Sequence, residues 1–138
     1  MSSTKLRKIC CIDCGSWCGS GRKYCKPCRQ KKKQELKEQC INSKKSDAIY
    51  SNGHISNRYA KIRYHARHDY EKIITKCQKC GYDKHVEICH IKSIKEFEDS
   101  ATIAEINHKS NIVGLCPNCH WEFDHGLLDI TKICIIDS

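Results

Sequence analysis

The chain has 138 residues, of which 13 are Cys, and its 25 Lys and Arg outnumber 16 Asp and Glu for a formal charge of +9. That length suits one domain or two small ones, and with the cysteines counted inside an apolar fraction of 39%, few ordinary core formers remain. No apolar run approaches the roughly 18 residues of a membrane span, and the N-terminus MSSTKLRKICC lacks an apolar signal core, so neither a transmembrane helix nor a secretory leader is expected. An odd number of cysteines, most of them in C-x2-C pairs, fits thiolates on metal in a reducing intracellular compartment, the cytoplasm, better than a disulfide framework. The charge is uneven. Residues 1–76 hold 19 Lys and Arg against 6 Asp and Glu, whereas residues 77–138 hold 6 against 10. A basic front half suits a grip on a polyanion, and an acidic back half suits ligands and structure.

Taken in order, Cys10 to Cys28 contains two pairs, Cys11-x2-Cys14 and Cys25-x2-Cys28, with Gly15, Gly19 and Gly21 for tight turns. This is the spacing of a small zinc ribbon, with Cys10 and Cys18 as extra thiols, either of which could replace a neighbour as ligand. A redox C-x2-C is the rival reading, and two pairs in a basic context favour zinc. Arg22 and Lys23 decorate the ribbon and are candidate DNA contacts. Gln30 to Gln39 favours helix at every position but has no apolar face, which predicts a solvated helix or linker. Asn42 to Gly53 is rich in turn formers and is the expected hinge between the halves.

The spacing of Tyr59, Ile62, Ala66, Tyr70 and Ile73 predicts an amphipathic helix over 57–74, capped by Ser56 or Asn57. Beside that face runs a cationic stripe, in which Arg58, Lys61, His65 and Lys72 are candidate DNA contacts; an ordinary solvated face is the alternative.

Cys77 to Gly126 carries the densest chemistry. Cys77 with Cys80 and Cys116 with Cys119 supply the four thiolates of a second tetrahedral zinc. Between the pairs, Val86 to Ile91 is a β-like run containing Cys89 and His90. Lys92 to Ser110 then leads, through a short helix at 102–106, to Asn111 and the apolar run Ile112–Leu115, and His120 directly follows the last cysteine. Hydrolysis of a phosphodiester needs an in-line water, a base to activate it, and a cation for the phosphate and leaving oxygen. An imidazole such as His90, with an ordinary pKa of about 6.5, suits the base, and a second imidazole, His120, can hold the cation. A four-cysteine zinc is closed to water and cannot be that cation. Its task is to pin the strand of His90 to the helix of His120, because so short a segment cannot hold geometry by burial alone. Leu127 to Ile136 alternates partly and reads as a C-terminal strand in need of a partner.

His90, Asn111 and His120, in that order and framed by four cysteines, resemble the HNH endonuclease family over Cys77 to Gly126. The resemblance implies a ββα-metal fold, two antiparallel strands and a helix around one catalytic divalent ion, Mg2+ or Mn2+. It implies that His90 is the general base, that Asn111 begins the second strand and orients that base, and that His120 is a metal ligand. The residue before the base, usually Asp or His and also a ligand, is Cys89 here. A thiolate suits magnesium poorly. Either Cys89 ligates and the site prefers softer ions, or His120 is helped by Asp124 or Glu87.

The expected whole is a small zinc-bound α+β protein with a zinc ribbon and basic linker helix over 1–45, a basic amphipathic helix region over 46–76, and a nuclease domain with a C-terminal strand over 77–138. The expected function is metal-dependent hydrolysis of double-stranded DNA, with two structural zinc ions and one catalytic ion. A non-catalytic, zinc-stapled DNA-binding protein is the rival. Restriction, homing and phage or repair roles stay open, as do a nicking monomer and a homodimer that cuts both strands.

Overall fold

The structure, a computed structural model, describes residues 10–19, 21–50 and 58–133. The chain divides into two compact units, Met1–Cys40 and Ile41–Ser138.

In the first unit, Cys11 to Gly15 forms a knuckle. The Gly15 amide donates to the Cys11 carbonyl at 2.9 Å with Gly15 at φ 71°, a backbone conformation that favours glycine. Helix α1 (Lys26–Ile41) begins inside the second cysteine pair and buries no residue. It is the expected solvated helix, lengthened at its start because Pro27 is tolerated in a first turn. Its polar surface is laced by Gln34–Glu38 at 2.9 Å and by Lys31–Glu35 at 4.0 Å.

The second unit opens with a difference from expectation. Residues 43–49 are not a hinge but part of the unit, and Lys45–Tyr50 form helix α2. The amides of Lys45 and Ile103 reach Ala101 and Ser43 carbonyls at 2.8 and 3.1 Å, and Ala48 is fully buried. The Lys45 side chain, only 4% exposed, satisfies its ammonium on the Phe97 carbonyl at 2.6 Å and Asp99 at 3.4 Å. Turn-forming composition registered here as a linker because these partners lie more than 50 positions away in sequence.

Helix α3 (Ala60–Tyr70) is shorter than expected, and the proposed caps Ser56 and Asn57 lie outside the described residues. Ile62 and Ala66 are buried as their spacing requires. Ile73 is 63% exposed and Ile74 is buried instead, because the helix has ended and a turn held by the Tyr70 carbonyl shifts the pattern by one residue.

Strands β1 (Glu87–His90) and β2 (Ile112–Leu115) pair antiparallel with Glu87 opposite Leu115 and His90 opposite Ile112. Their connection contains the short helix α4 (Ile103–Ile106), whose Thr102–Glu105 capping box satisfies the first-turn amides. β2 is buried on both faces. Ile112 packs with Ala66 and Ile74, whereas Val113 and Leu115 pack with Cys77, Cys89, Cys116 and Cys119. Helix α5 (Pro117–Asp124) starts inside the last cysteine pair. Between Leu127 and Ile133 there is no strand. Asp129 accepts from the Thr131 amide and hydroxyl at 3.0 and 2.6 Å, which closes a 3-10 turn over Ile130–Lys132 and seats Ile133 on the cysteine core. The expected strand's last residues, 134–136, lie outside the described residues.

Gly114 is where β2 meets α3's trailing turn. A Cβ there would collide with Ile74 Cγ2 and lie 3.1 Å from Val86 Cγ1. Gly114→Ala should therefore destabilise the second unit by about 1–3 kcal/mol through overpacking. Chemical denaturation checks this; an unchanged midpoint would mean that Ile74 can move aside freely.

Candidate active site and metal centres

The Sγ atoms of Cys11, Cys14, Cys25 and Cys28 lie within 4.8 Å of one another, as do those of Cys77, Cys80, Cys116 and Cys119. Two separations are 3.6 Å for Cys14–Cys25 and 3.7 Å for Cys80–Cys116. Zinc–sulfur bonds of about 2.3 Å at tetrahedral angles put sulfurs about 3.8 Å apart, so both sets fit zinc. Backbone amides are aimed at the sulfurs. The amide of Cys25 draws the Cys11 thiol down to about 6, against burial and with help from the amides of Cys14 and Asp13. Burial pushes the Cys77 thiol up, but the amides of Cys116, Cys80 and Lys79 outweigh it and leave that thiol also at about 6.

The two centres share one design. Each has a C-x2-C-Gly knuckle, with Gly15 or Gly81 at positive φ donating to the first cysteine's carbonyl, followed by a C-x2-C pair that opens a helix. Of the spare thiols, Cys18 donates to the Arg22 carbonyl at 2.9 Å. The described cysteines form no disulfide.

Beside the second centre lies a groove of about 1010 Å³ along the open edge of β1, between α3 and α5. His90 and His120 both line it. Strand alternation along β1 turns His90 to one side and Glu87, the partner of His120 on α5, to the other. His90 is on the α3 side, where its Nε2 meets Asn107 Oδ1 at 2.7 Å. The orientation of that amide is set independently, since Asn107 Nδ2 donates to the Ile62 carbonyl of α3 at 2.9 Å. Oδ1 must therefore face the imidazole, Nε2 carries the proton, and Nδ1 keeps a free lone pair. Burial, opposed by the Asn107 bond and reinforced by the nearby Arg63 charge, holds the His90 pKa below the ordinary imidazole value.

Asn111 is buried and does not touch the imidazole. It ends a 3-10 turn just before β2, where its Oδ1 accepts from the Lys92 amide at 2.7 Å. Its Nδ2 donates to the carbonyls of Ile106 at 2.9 Å and Lys92 at 3.3 Å. It fastens the backbone that leaves β1 after His90 to the start of β2.

On the α5 side, His120 Nδ1 meets Glu87 Oε2 at 2.5 Å, and its Nε2 lies 3.5 Å from Asp124 Oδ2. The His120 bond holds the Glu87 carboxyl below its usual range, against burial. Cys89 is elsewhere. It is 5% exposed, packs in the cysteine core, and burial with the nearby Glu87 and Asp124 charges pushes its thiol up to about 12.

Of the candidate DNA contacts, Arg58, Lys61, His65 and Lys72 do not line this groove. His65 lines a smaller hollow with Ile41, Tyr70, Ile103 and His108. Arg22 lies in the first unit and offers its carbonyl to Cys18, and Lys23 offers its own to Ile12 at 3.0 Å. The residues that do line the groove from α3, Arg63 and Arg67, were not singled out by the sequence, and neither was Asn107. An i, i+4 arginine pair on the flank opposite the assumed stripe was the available signal for the first two. Asn107 carried none.

Fold and site thus define a small α+β protein with two four-cysteine groups that can hold zinc, one preceding and one built into a strand–strand–helix core. Residues 77–131, less than half of the chain, match the family described as HNH endonuclease, which points to a nuclease. No curated protein and no solved structure matches the chain. No helix among the described residues is long and apolar enough to cross a membrane.

Protein purified without added metal should carry two zinc ions per chain by elemental analysis, one per four-cysteine set. Zinc binding on the order of 10 kcal/mol matches the whole stability of a small domain, so strong chelation should unfold the chain. A count of one would leave only one of the sets as a metal centre. The amide geometry at His90 makes a separate prediction. Asn107→Asp puts a carboxylate beside Nε2 and should raise the His90 pKa above wild type, read by NMR titration of the ring proton. An unmoved titration would break the Asn107–His90 contact.

Proposed function

We propose that the chain is a metal-dependent DNA endonuclease in which His90 is the general base. The observation that carries this is the placement of the His90 imidazole, its Nε2 held by Asn107 Oδ1, in the groove that also holds Glu87, His120 and Asp124. His90 would accept the proton of the attacking water at Nδ1, while Asn107 keeps the tautomer that leaves Nδ1 free. Asn111 would act through the backbone, by fixing the chain on which His90 stands.

On the α5 side His120 Nε2 and the Asp124 carboxylate stand 3.5 Å apart, a pair that could share a hard divalent cation whose remaining positions water and phosphate would fill. Glu87 holds His120 Nδ1–H, so Nε2 and the Asp124 carboxylate are the donors that would take the ion, with Glu87 orienting the ring. A bound Mg2+ or Mn2+ would neutralise charge on the scissile phosphate and leaving oxygen. Cys89, a neutral thiol in the core, stays off the ion. The two zinc centres hold the scaffold and take no part in the chemistry.

The test is nicking of supercoiled DNA with and without added magnesium. His90→Ala should lower the rate by about 10²–10⁴-fold while the variant still binds DNA. Cleavage at the wild-type rate would remove His90 from the mechanism. No cleavage by the unsubstituted chain in either magnesium or manganese, with DNA binding intact, would favour a zinc-stapled binding protein instead. The strandedness of the cut, with the mass in solution, reads whether one or two copies act.

The acid limb of the rate profile follows from the environment of His90. Its active form is the neutral base, and burial depresses its pKa. Activity should therefore persist below the pH at which an ordinary imidazole, at about 6.5, is half protonated, and should fall as pH drops through the depressed value. A single-turnover pH profile with its midpoint above 7 would contradict this environment.

A further inference from the structure

We propose that Arg63 and Arg67 of α3 bind phosphates of the polynucleotide strand next to the bond being cut, which makes α3 the substrate grip of the groove. The inference rests on the nuclease reading above and adds a binding site from outside the matched segment.

The two guanidinium groups stand four residues apart on one helix, so they form a row along its axis rising about 6 Å, close to the axial rise of two nucleotides. Both side chains are exposed, and both line the groove that holds His90 and His120. Among the described residues neither forms a salt bridge; Arg63 lies over the Tyr59 ring at 5.9 Å. Arg63 is near enough to His90 for its charge to act on the imidazole. The groove is therefore polarised. Its α5 side carries Glu87 and Asp124, and its α3 side carries two guanidinium groups that form no salt bridge among the described residues, with Glu71 beyond them. A phosphodiester chain between them would meet cations on both sides once a divalent ion sits on the acidic cluster. Arginine suits this place, because its planar fork binds phosphate oxygens bidentately.

The row is bounded. The next residue along it, Glu71, also lines the groove and would repel a phosphate, so two contacts are expected on this helix and not three. Helical geometry separates the row from the rest of the basic charge. Lys61 and His65 each lie two positions from Arg63, about 200° around the helix, on the flank away from His90.

The experiment measures binding of a short DNA duplex by fluorescence anisotropy across a salt series. It uses the full-length His90→Ala chain without added magnesium, with circular dichroism to confirm folding of each variant. Arg63→Gln with Arg67→Gln should reduce the slope of log affinity against log salt by about 2, near 0.9 per lost phosphate contact. Arg63→Lys with Arg67→Lys should restore most of the slope but not the affinity, because charge returns without the fork. Lys61→Gln with Lys72→Gln should leave the slope nearly unchanged. An unchanged slope in the double glutamine variant, or a loss carried by Lys61 and Lys72 instead, overturns the proposal while leaving cleavage by the unsubstituted chain unaffected. The expected slopes, together with no cleavage by the unsubstituted chain in magnesium or manganese, would sustain the grip and remove the nuclease reading. Absence of salt-dependent binding would overturn both.

Discussion

The convergence of four thiols from Cys77, Cys80, Cys116 and Cys119 is the constraint on which the second unit depends. It joins a knuckle to the first turn of α5 across 36 positions of sequence and lies directly against Val113 and Leu115 of β2. The unit has a two-stranded sheet of four-residue strands, and a pair of strands that short is marginal in water without packing or a metal clamp. With the thiols gathered, β2 becomes a floor buried on both faces, and β1 is held beside it with one edge left open to the groove. The same C-x2-C-Gly knuckle and helix-opening pair recur in the first unit. There the helix buries nothing, so that cysteine cluster is the main core among the described residues of its unit.

The open edge of β1 explains how one short strand presents two environments to the groove. Alternation turns Glu87 and Cys89 toward α5 and Ile88 and His90 toward α3. His90 accordingly finds a half-buried setting against α3 and Asn107, which keeps it neutral. Glu87 is partnered by His120, which keeps the carboxylate ionised. The His90 imidazole and the Glu87–His120–Asp124 group are thereby separated by the thickness of a strand yet line one groove. Cys89, one step from His90, is turned into the cysteine core by the same alternation, and its burial leaves it a thiol.

Helix α3 has a larger part than a packed support. Its Ile62 carbonyl fixes Asn107, whose own carbonyl accepts from the Tyr70 hydroxyl at 2.9 Å, so His90 is braced by an element outside the segment that matches the nuclease family. Bracing through buried amides is costly to disturb, because an orphaned partner loses its hydrogen bond without regaining water.

Short-range chemistry was legible in the sequence by itself. The cysteine spacings specified both four-thiol groups, the segment 102–106 read as a short helix, and His90, Asn111 and His120 marked the strand–strand–helix frame, because each of these signals is local. Tertiary structure alone decided the rest. It turned residues 43–49 from an apparent hinge into a stitched helix, and it chose Ile74 over Ile73 for the core. It closed Leu127–Ile133 into a turn, and it put Arg63 and Arg67 in the groove in place of the assumed stripe. Asn107 beside His90 is the clearest case, since the hydrogen bonds that define its role join residues 17 and 45 positions apart. A side chain's partner across such distances depends on which faces the packed elements turn toward each other, and periodicity along one element does not contain that information.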